Sequence, residues 1–208
     1  MAIIDLSHTI KDGMAGYPGD APPRLTHQLI HGRDGLQSSI LDMSCHTGTH
    51  IDSPLHFLAG QPALDAIPPD FFSGHALVLA TPTSEPPGPL AADLPAGGDL
   101  TEIDFLILRT GWERWWGTDR YYATWPYLSV DLARRIATLG LKGVGLDSPS
   151  VDSLGSREVH DLFAAAGLVN VENLANLAAL PRGPFLFLAL PLKLAATEAS
   201  PVRAVALV

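Results

Sequence analysis

The apolar runs of this chain are short and closely punctuated by turn residues, and that constrains its fold more than any other feature. Glycine and proline supply 37 of 208 residues. Between them lie Ile3–Ile4, Ile40–Leu41, Ala76 to Ala80, Phe105 to Leu108, Val144 to Leu146, Phe185 to Leu190 and Val205 to Val208, each of strand length. Two segments read as helices. Ser129 can cap one in which Val130, Ala133, Ile136, Ala137 and Leu139 share a face, Arg134 and Arg135 point outward, and Gly140 is the stop. Ser156 can cap a second, running to Ala166 and closed by Gly167. The run LKGVGLD after the first helix returns as a buried strand, which gives a mixed α/β class. The stretch Thr81 to Leu100 carries five prolines and three glycines. It reads as a long surface loop within one domain spanning residues 1–208, since neither half of the chain alone would bury much core. No repeat at a solenoid period is visible.

Composition removes several function classes. Apolar residues make up 47% and charged residues 17%, with a mean hydropathy of +0.19, which excludes bulk disorder. No apolar stretch approaches the roughly 20 residues of a membrane helix. The net charge of −9, with no basic stripe, makes nucleic acid and anionic membrane poor partners. The opening MAIIDLSHTI lacks a basic leader, and the single cysteine, Cys45, cannot close an internal disulfide, so a cytoplasmic setting is expected. Eight histidines then require an explanation.

Three of them, with an aspartate, fall in the segment CHTGTHIDSPLHF, Cys45 to Phe57. On a helix His46 and His50 would align while Asp52 and His56 pointed away. On an extended chain His46, Gly48, His50 and Asp52 share one face, and Thr47, Thr49 and Ile51, favourable strand residues, take the other. Gly48 would then leave room between two imidazoles. Pro54 ends the ladder, and the turn after it can bring His56 back over the cluster. Any one histidine here would ordinarily be a satisfied polar residue. Two imidazoles and a carboxylate in register are instead a ligand set for zinc or another borderline divalent ion.

HTGTHIDSPLHF resembles the HxGTHxDxPxHF signature of the cyclase family of metal-dependent hydrolases, which includes bacterial kynurenine formamidases and isatin hydrolases. IDLSHTI, YPGD at Tyr17 to Asp20, LRTGW at Leu108 to Trp112, DSPSVD at Asp147 to Asp152, His160, Glu172 within VENL and the closing PVRAVAL extend the likeness along the chain. The resemblance implies a swivelling-type mixed α/β fold with a β-barrel-like core and few helices, forming a homodimer or higher oligomer. It implies that His46, His50 and Asp52 bind metal, that His160 and Glu172 complete a two-metal site with Asp52 and Glu172 bridging, and that His56 is the proton shuttle. Zinc is the expected ion, with manganese the other choice. Tyr17 stands where many kynurenine formamidases carry tryptophan and is expected to contact substrate. The implied reaction is hydrolysis of a small aromatic amide, N-formylkynurenine to kynurenine and formate. An isatin-type cyclic amide or a lactone could use the same site. A non-catalytic metal-binding module is the reading from another class, and retention of His56 argues against it.

The remaining residues carry less. Without the resemblance, His160 reads as a polar-face helix residue and Glu172 as a helix-start acid. His8 and His75 read as structural, with His8 near the site, and His27 and His31 as surface residues. Trp112, Trp115 and Trp116 read as core or interface rather than a substrate pocket. Cys45 is expected as a small buried hydrophobe, and Asp147 and Asp152 as caps of a structural turn.

Overall fold

A computed structural model describes residues 2–81, 85–94 and 100–208. Its strands are β1 (Ile3–Asp5), β2 (Arg24–Leu29), β3 (Ser38–Asp42), β4 (His50–Asp52), β5 (Ser73–Ala80), β6 (Pro89–Leu90), β7 (Phe105–Arg109), β8 (Tyr127–Leu128), β9 (Gly143–Leu146), β10 (Val169–Glu172), β11 (Phe185–Leu188), β12 (Ala199–Pro201) and β13 (Val205–Leu207). Nine of them form one sheet in the order β1-β13-β11-β5-β7-β9-β10-β4-β12. The central β5, β7, β9 and β10 are parallel, and the flanking pairs are antiparallel. The sheet curls into a half-barrel: just beyond β1, Ser7 bridges Leu174, the second residue after β10, and the Ala175 amide donates to the Leu6 carbonyl at 2.9 Å. The expected α/β class with a barrel-like core is what the chain adopts.

The run FLILR shows why the centre is parallel. Phe105 and Ile107 enter one buried cluster, with Leu6, Ile51, Phe72 and Phe187. Leu106 and Leu108 enter another, on the opposite side, with Val144, Leu146, Leu132, Ile136 and Phe163. A strand buried on both faces has no polar alternation to show. The second cluster is covered by α3 (Val130–Ala137) and α4 (Glu158–Ala165); the other helices described, α1 (His31–Asp34) and α2 (Asp119–Ala123), are short. Ser129 caps α3 as expected, its hydroxyl accepting from the Leu132 amide at 3.3 Å.

Three expectations are corrected. The main cap of α4 is Asp152 rather than Ser156 alone: its two carboxylate oxygens accept from the Val159 and His160 amides at 3.1 and 2.9 Å, while Ser156 donates its hydroxyl to the same carboxylate and accepts only from the Glu158 amide, at 3.4 Å. The Thr81–Leu100 stretch is not all surface loop. Its Pro89–Leu90 pairs in parallel with Tyr127–Leu128, and Leu90 and Leu100 are buried in the second cluster, while residues 82–84 and 95–99 lie outside the described residues. Cys45 is half-buried, not a core residue.

Gly143, at the start of β9, is crowded by backbone as well as by side chains. A Cβ there would lie 2.6 Å from the Val169 carbonyl oxygen and 3.0 Å from the Phe105 ring. Gly143→Ala should therefore cost about 1–3 kcal/mol in urea unfolding. Gly32→Ala in α1, where nothing lies within 4 Å of the new Cβ, should be neutral or slightly stabilising. Equal midpoints for the two variants would contradict this packing.

Candidate metal centre

Short β4 organises the centre because it is paired on both edges. Opposite His50 stand Glu172 of β10 and Pro201 of β12; opposite Asp52 stand Asn170 and Ala199. Direct cross-strand pairing puts His50, Asp52 and Glu172 on one face, and all three are buried, at 3%, 2% and 4% exposure. His50 Nε2 lies 3.4 Å from Asp52 Oδ1 and 3.6 Å from Glu172 Oε2. The extended register holds only here. His46 precedes β4 on a turn, and Gly48 sits between them at φ +67°. The glycine serves the left-handed backbone and the close approach of Ile10, whose Cγ1 would lie 3.2 Å from a Cβ; it does not separate two imidazoles. The turn swings His46 Nδ1 to 3.0 Å from Asp52 Oδ1.

His56 arrives from the other side. Pro54 opens a 3₁₀ turn, Pro54–His56, that folds the imidazole back until its centroid lies 4.4 Å from His46 and 6.3 Å from His160. His160 projects from α4, its Nε2 3.4 Å from Glu172 Oε1. Two groups of donors result, each with ligand atoms within 4.8 Å of one another: His46, Asp52 and His56, and His50, Asp52 and Glu172. Asp52 belongs to both. His160 reaches the cluster through Glu172 alone.

The chemistry of these donors fits a divalent cation. Asp52 Oδ1 is buried and makes no well-aligned hydrogen bond within the described residues, only the close approaches of His46 Nδ1 and His50 Nε2, a costly arrangement that a cation between them would complete. Three imidazoles have one nitrogen tied from behind and the other facing the cluster. His50 Nδ1 is bonded to the Gly48 carbonyl at 3.0 Å, His160 Nδ1 to Asp152 Oδ2 at 2.8 Å, and His46 Nε2 to Glu198 Oε1 at 3.2 Å. Backing of this kind orients ligating histidines. The electrostatics agree. Burial opposes a charged His46, yet Asp52, Glu172 and Glu198 outweigh it and push its pKa up to about 9. For His160 burial is likewise overcome, by Asp152 and Glu172, and it too rises to about 9. Burial would raise Asp52, but His46 and His50 hold its carboxyl far below the usual range. His56 is lowered, by burial first and then, against the pull of Asp52, by the charge of His46 and His160. Carboxylates strong enough to hold two imidazoles protonated would hold a cation in place of those protons.

The cluster opens into a cavity of about 330 Å³, with Tyr17, Phe57 and Tyr122 on its walls. The tryptophans do not line it. Trp112 is buried, donating its indole N–H to the Tyr121 carbonyl, and Trp115 and Trp116 pack around it, as expected of core aromatics. His8 stacks on Trp116 with centroids 3.9 Å apart, off the cavity wall, and burial lowers its pKa to about 4. His27, His31 and His75 are exposed. Asp147 is a structural cap, accepting from Thr110 and Gly111. Asp152 caps α4 and orients His160 at once. Sequence reasoning missed Glu198, Asn173, Phe57 and Tyr122. Glu198 had no signal, since only the β12–β4 pairing brings it to His46. Asn173 had one: it follows Glu172 directly, adopts φ +57°, and donates to the same Gly48 carbonyl that holds His50.

Comparison with known proteins agrees with this geometry. Residues 4–153 match the Cyclase family model. The chain is 33% identical over 213 residues to a kynurenine formamidase of Salinibacter ruber, covering 99% of this chain and 97% of the relative. It is 34% identical over 208 residues to the kynurenine formamidase of Paracidovorax citrulli, covering 97% and 94%. Isatin hydrolase A from Labrenzia aggregata superposes with a TM-score of 0.81 at 23% identity, over 99% of this chain and 93% of that one, and so shares the fold. Fold and donor set together define a hydrolase of the metal-dependent class. The chain belongs to the cyclase family.

Asp152 gives a clean test of the backing contacts. Asp152→Asn keeps one of the two capping oxygens and loses the charge behind His160, so zinc affinity by chelator competition should fall roughly 10–100-fold, with a smaller loss of stability than Asp152→Ala. Asp152→Ala should also lose about 0.5–2 kcal/mol of stability with the cap. An asparagine variant with unchanged affinity would show that His160 needs no such partner.

Proposed function

We propose that this enzyme hydrolyses the carbon–nitrogen bond of a small aromatic amide, N-formylkynurenine giving kynurenine and formate, and that residues 1–208 act as one catalytic unit. The observation that carries the reading is Asp52 shared between two donor groups at the floor of an aromatic-walled cavity. His46, His50, Asp52 and Glu172 would hold two divalent cations, zinc or manganese, with His160 closing the Glu172 side. Such a cation supplies Lewis acidity, polarising a carbonyl and lowering the pKa of coordinated water from 15.7 toward about 7.

The chain's own groups do the rest. Tyr17, Phe57 and Tyr122 enclose the aryl ring and keep bulk water from the scissile bond. His56 takes the proton from the attacking water and delivers it to the departing nitrogen. It suits that role because its lowered pKa keeps the ring neutral at pH 7, ready to accept, and because it alone of the four clustered histidines makes no side-chain hydrogen bond within the described residues. Its place within ligand distance of His46 and Asp52 leaves one competitor, a ligand role, which stoichiometry separates from proton transfer.

His56→Ala should leave the metal content near wild type, by elemental analysis, while kcat on an aryl formamide falls by roughly 10²–10⁴. Asp52→Ala should lose metal and activity together, since two cations would face each other with less charge between them. Loss of metal from His56→Ala in step with activity would make His56 a ligand. An Asp52→Ala enzyme with full metal content would overturn the shared-carboxylate site.

A further inference from the structure

Eight ionisable side chains, tyrosines aside, line the cavity, and six of them form the cluster at its floor. The other two are Asp20 and Arg157, one acid and one base. Neither has a task in the chemistry above.

Asp20 follows the Tyr17–Gly19 turn, its amide donating to the Tyr17 carbonyl at 2.9 Å. Its carboxylate has no hydrogen bond or ion pair within the described residues. Its charge nevertheless reaches the two wall phenols: Tyr17 and Tyr122 are raised by burial first, and further by Glu172 and Asp20. An unpaired carboxylate on a cavity lining that also carries two phenols is a receptor for an ammonium group.

Arg157 is held still. Its Nη2 donates to the Phe57 carbonyl at 2.8 Å and to Asp161 at 2.6 Å, and its Nε reaches both Asp161 oxygens at 3.0 and 3.1 Å. The guanidinium lies 5.2 Å over the Phe57 ring, which in turn stacks on His160 at 4.1 Å. The Asp161 pair absorbs part of its charge and fixes its plane, leaving Nη1 without a partner among the described residues. A guanidinium already immobilised loses little further entropy on meeting a carboxylate.

We propose that Asp20 and Arg157 read the two charges of a zwitterionic substrate tail, Asp20 the ammonium and Arg157 the carboxylate, so that the site selects aryl amides bearing an α-amino-acid side chain over uncharged lactams and anilides. This rests on the amide-hydrolase reading. A neutral bicyclic substrate would leave both groups unmatched on an otherwise uncharged wall.

The test uses metal-loaded enzyme and three aryl formamides: N-formylkynurenine, N-formylkynuramine, which lacks the carboxylate, and 4-(2-formamidophenyl)-4-oxobutanoate, which lacks the ammonium. Each missing charge should lower wild-type kcat/KM roughly tenfold or more, as for a hydrogen bond to a charged group. Asp20→Asn should lose as much on the full substrate and become indifferent to the ammonium. Arg157→Gln should become indifferent to the carboxylate. Unchanged melting midpoints exclude a folding effect, both side chains being exposed. Equal turnover of all three formamides by the wild type would overturn the proposal and leave the amide-hydrolase reading standing, and so would losses that simply multiply between variant and analogue. Failure to turn over any of the three would overturn that reading, and the proposal with it.

Discussion

A carboxylate buried to 2% exposure, with one oxygen lacking a well-aligned hydrogen bond among the described residues, is the constraint to which the rest of the centre answers. Asp52 can stay ionised there only because imidazoles crowd it, His46 at 3.0 Å and His50 at 3.4 Å. Those imidazoles in turn need backing, and it comes from the Gly48 carbonyl behind His50 and, behind His46, from Glu198, 152 positions further along the chain. The curled sheet makes this possible by pairing β4 with β10 on one side and β12 on the other, so that ligand and backing residues from three distant segments meet over three residues of strand. A buried charge cluster of this kind gains nothing for the fold that apolar residues would not supply. Its persistence is explained by a cation.

Much of the fold was legible in the sequence, for identifiable reasons. Phe105 to Leu108, Val144 to Leu146 and the Ser129 cap were readable because local pattern and final burial agree there. The α4 cap was misplaced because Ser156 has the local signature while Asp152, six positions before the first helical residue, has the geometry. No window of sequence reveals an acceptor that returns across a turn. The Pro89–Leu90 strand hid in a proline-rich stretch because two residues show no period, and its partner Tyr127–Leu128 is just as short.

The centre divides in the same way. His50 and Asp52 obey the period of two because they lie on a strand; His46 reaches the same centre by a left-handed turn at Gly48 that extended-chain reasoning does not foresee. His160 and Glu172 are unremarkable alone, one on a helix and one at a strand end, and become neighbours only in the folded chain, His160 Nε2 3.4 Å from Glu172 Oε1. What surrounds the substrate is the least legible part. Asp20 and Arg157 are ordinary surface residue types, and only the folded cavity makes both part of one lining.

The central claim is that one carboxylate, Asp52, is common to two cation positions. Electron paramagnetic resonance of the protein titrated with manganese measures this directly. The account predicts saturation at two ions per chain, with spectra showing exchange coupling between them. A single uncoupled ion per chain at saturation, or two ions whose signals are those of isolated centres, would contradict it.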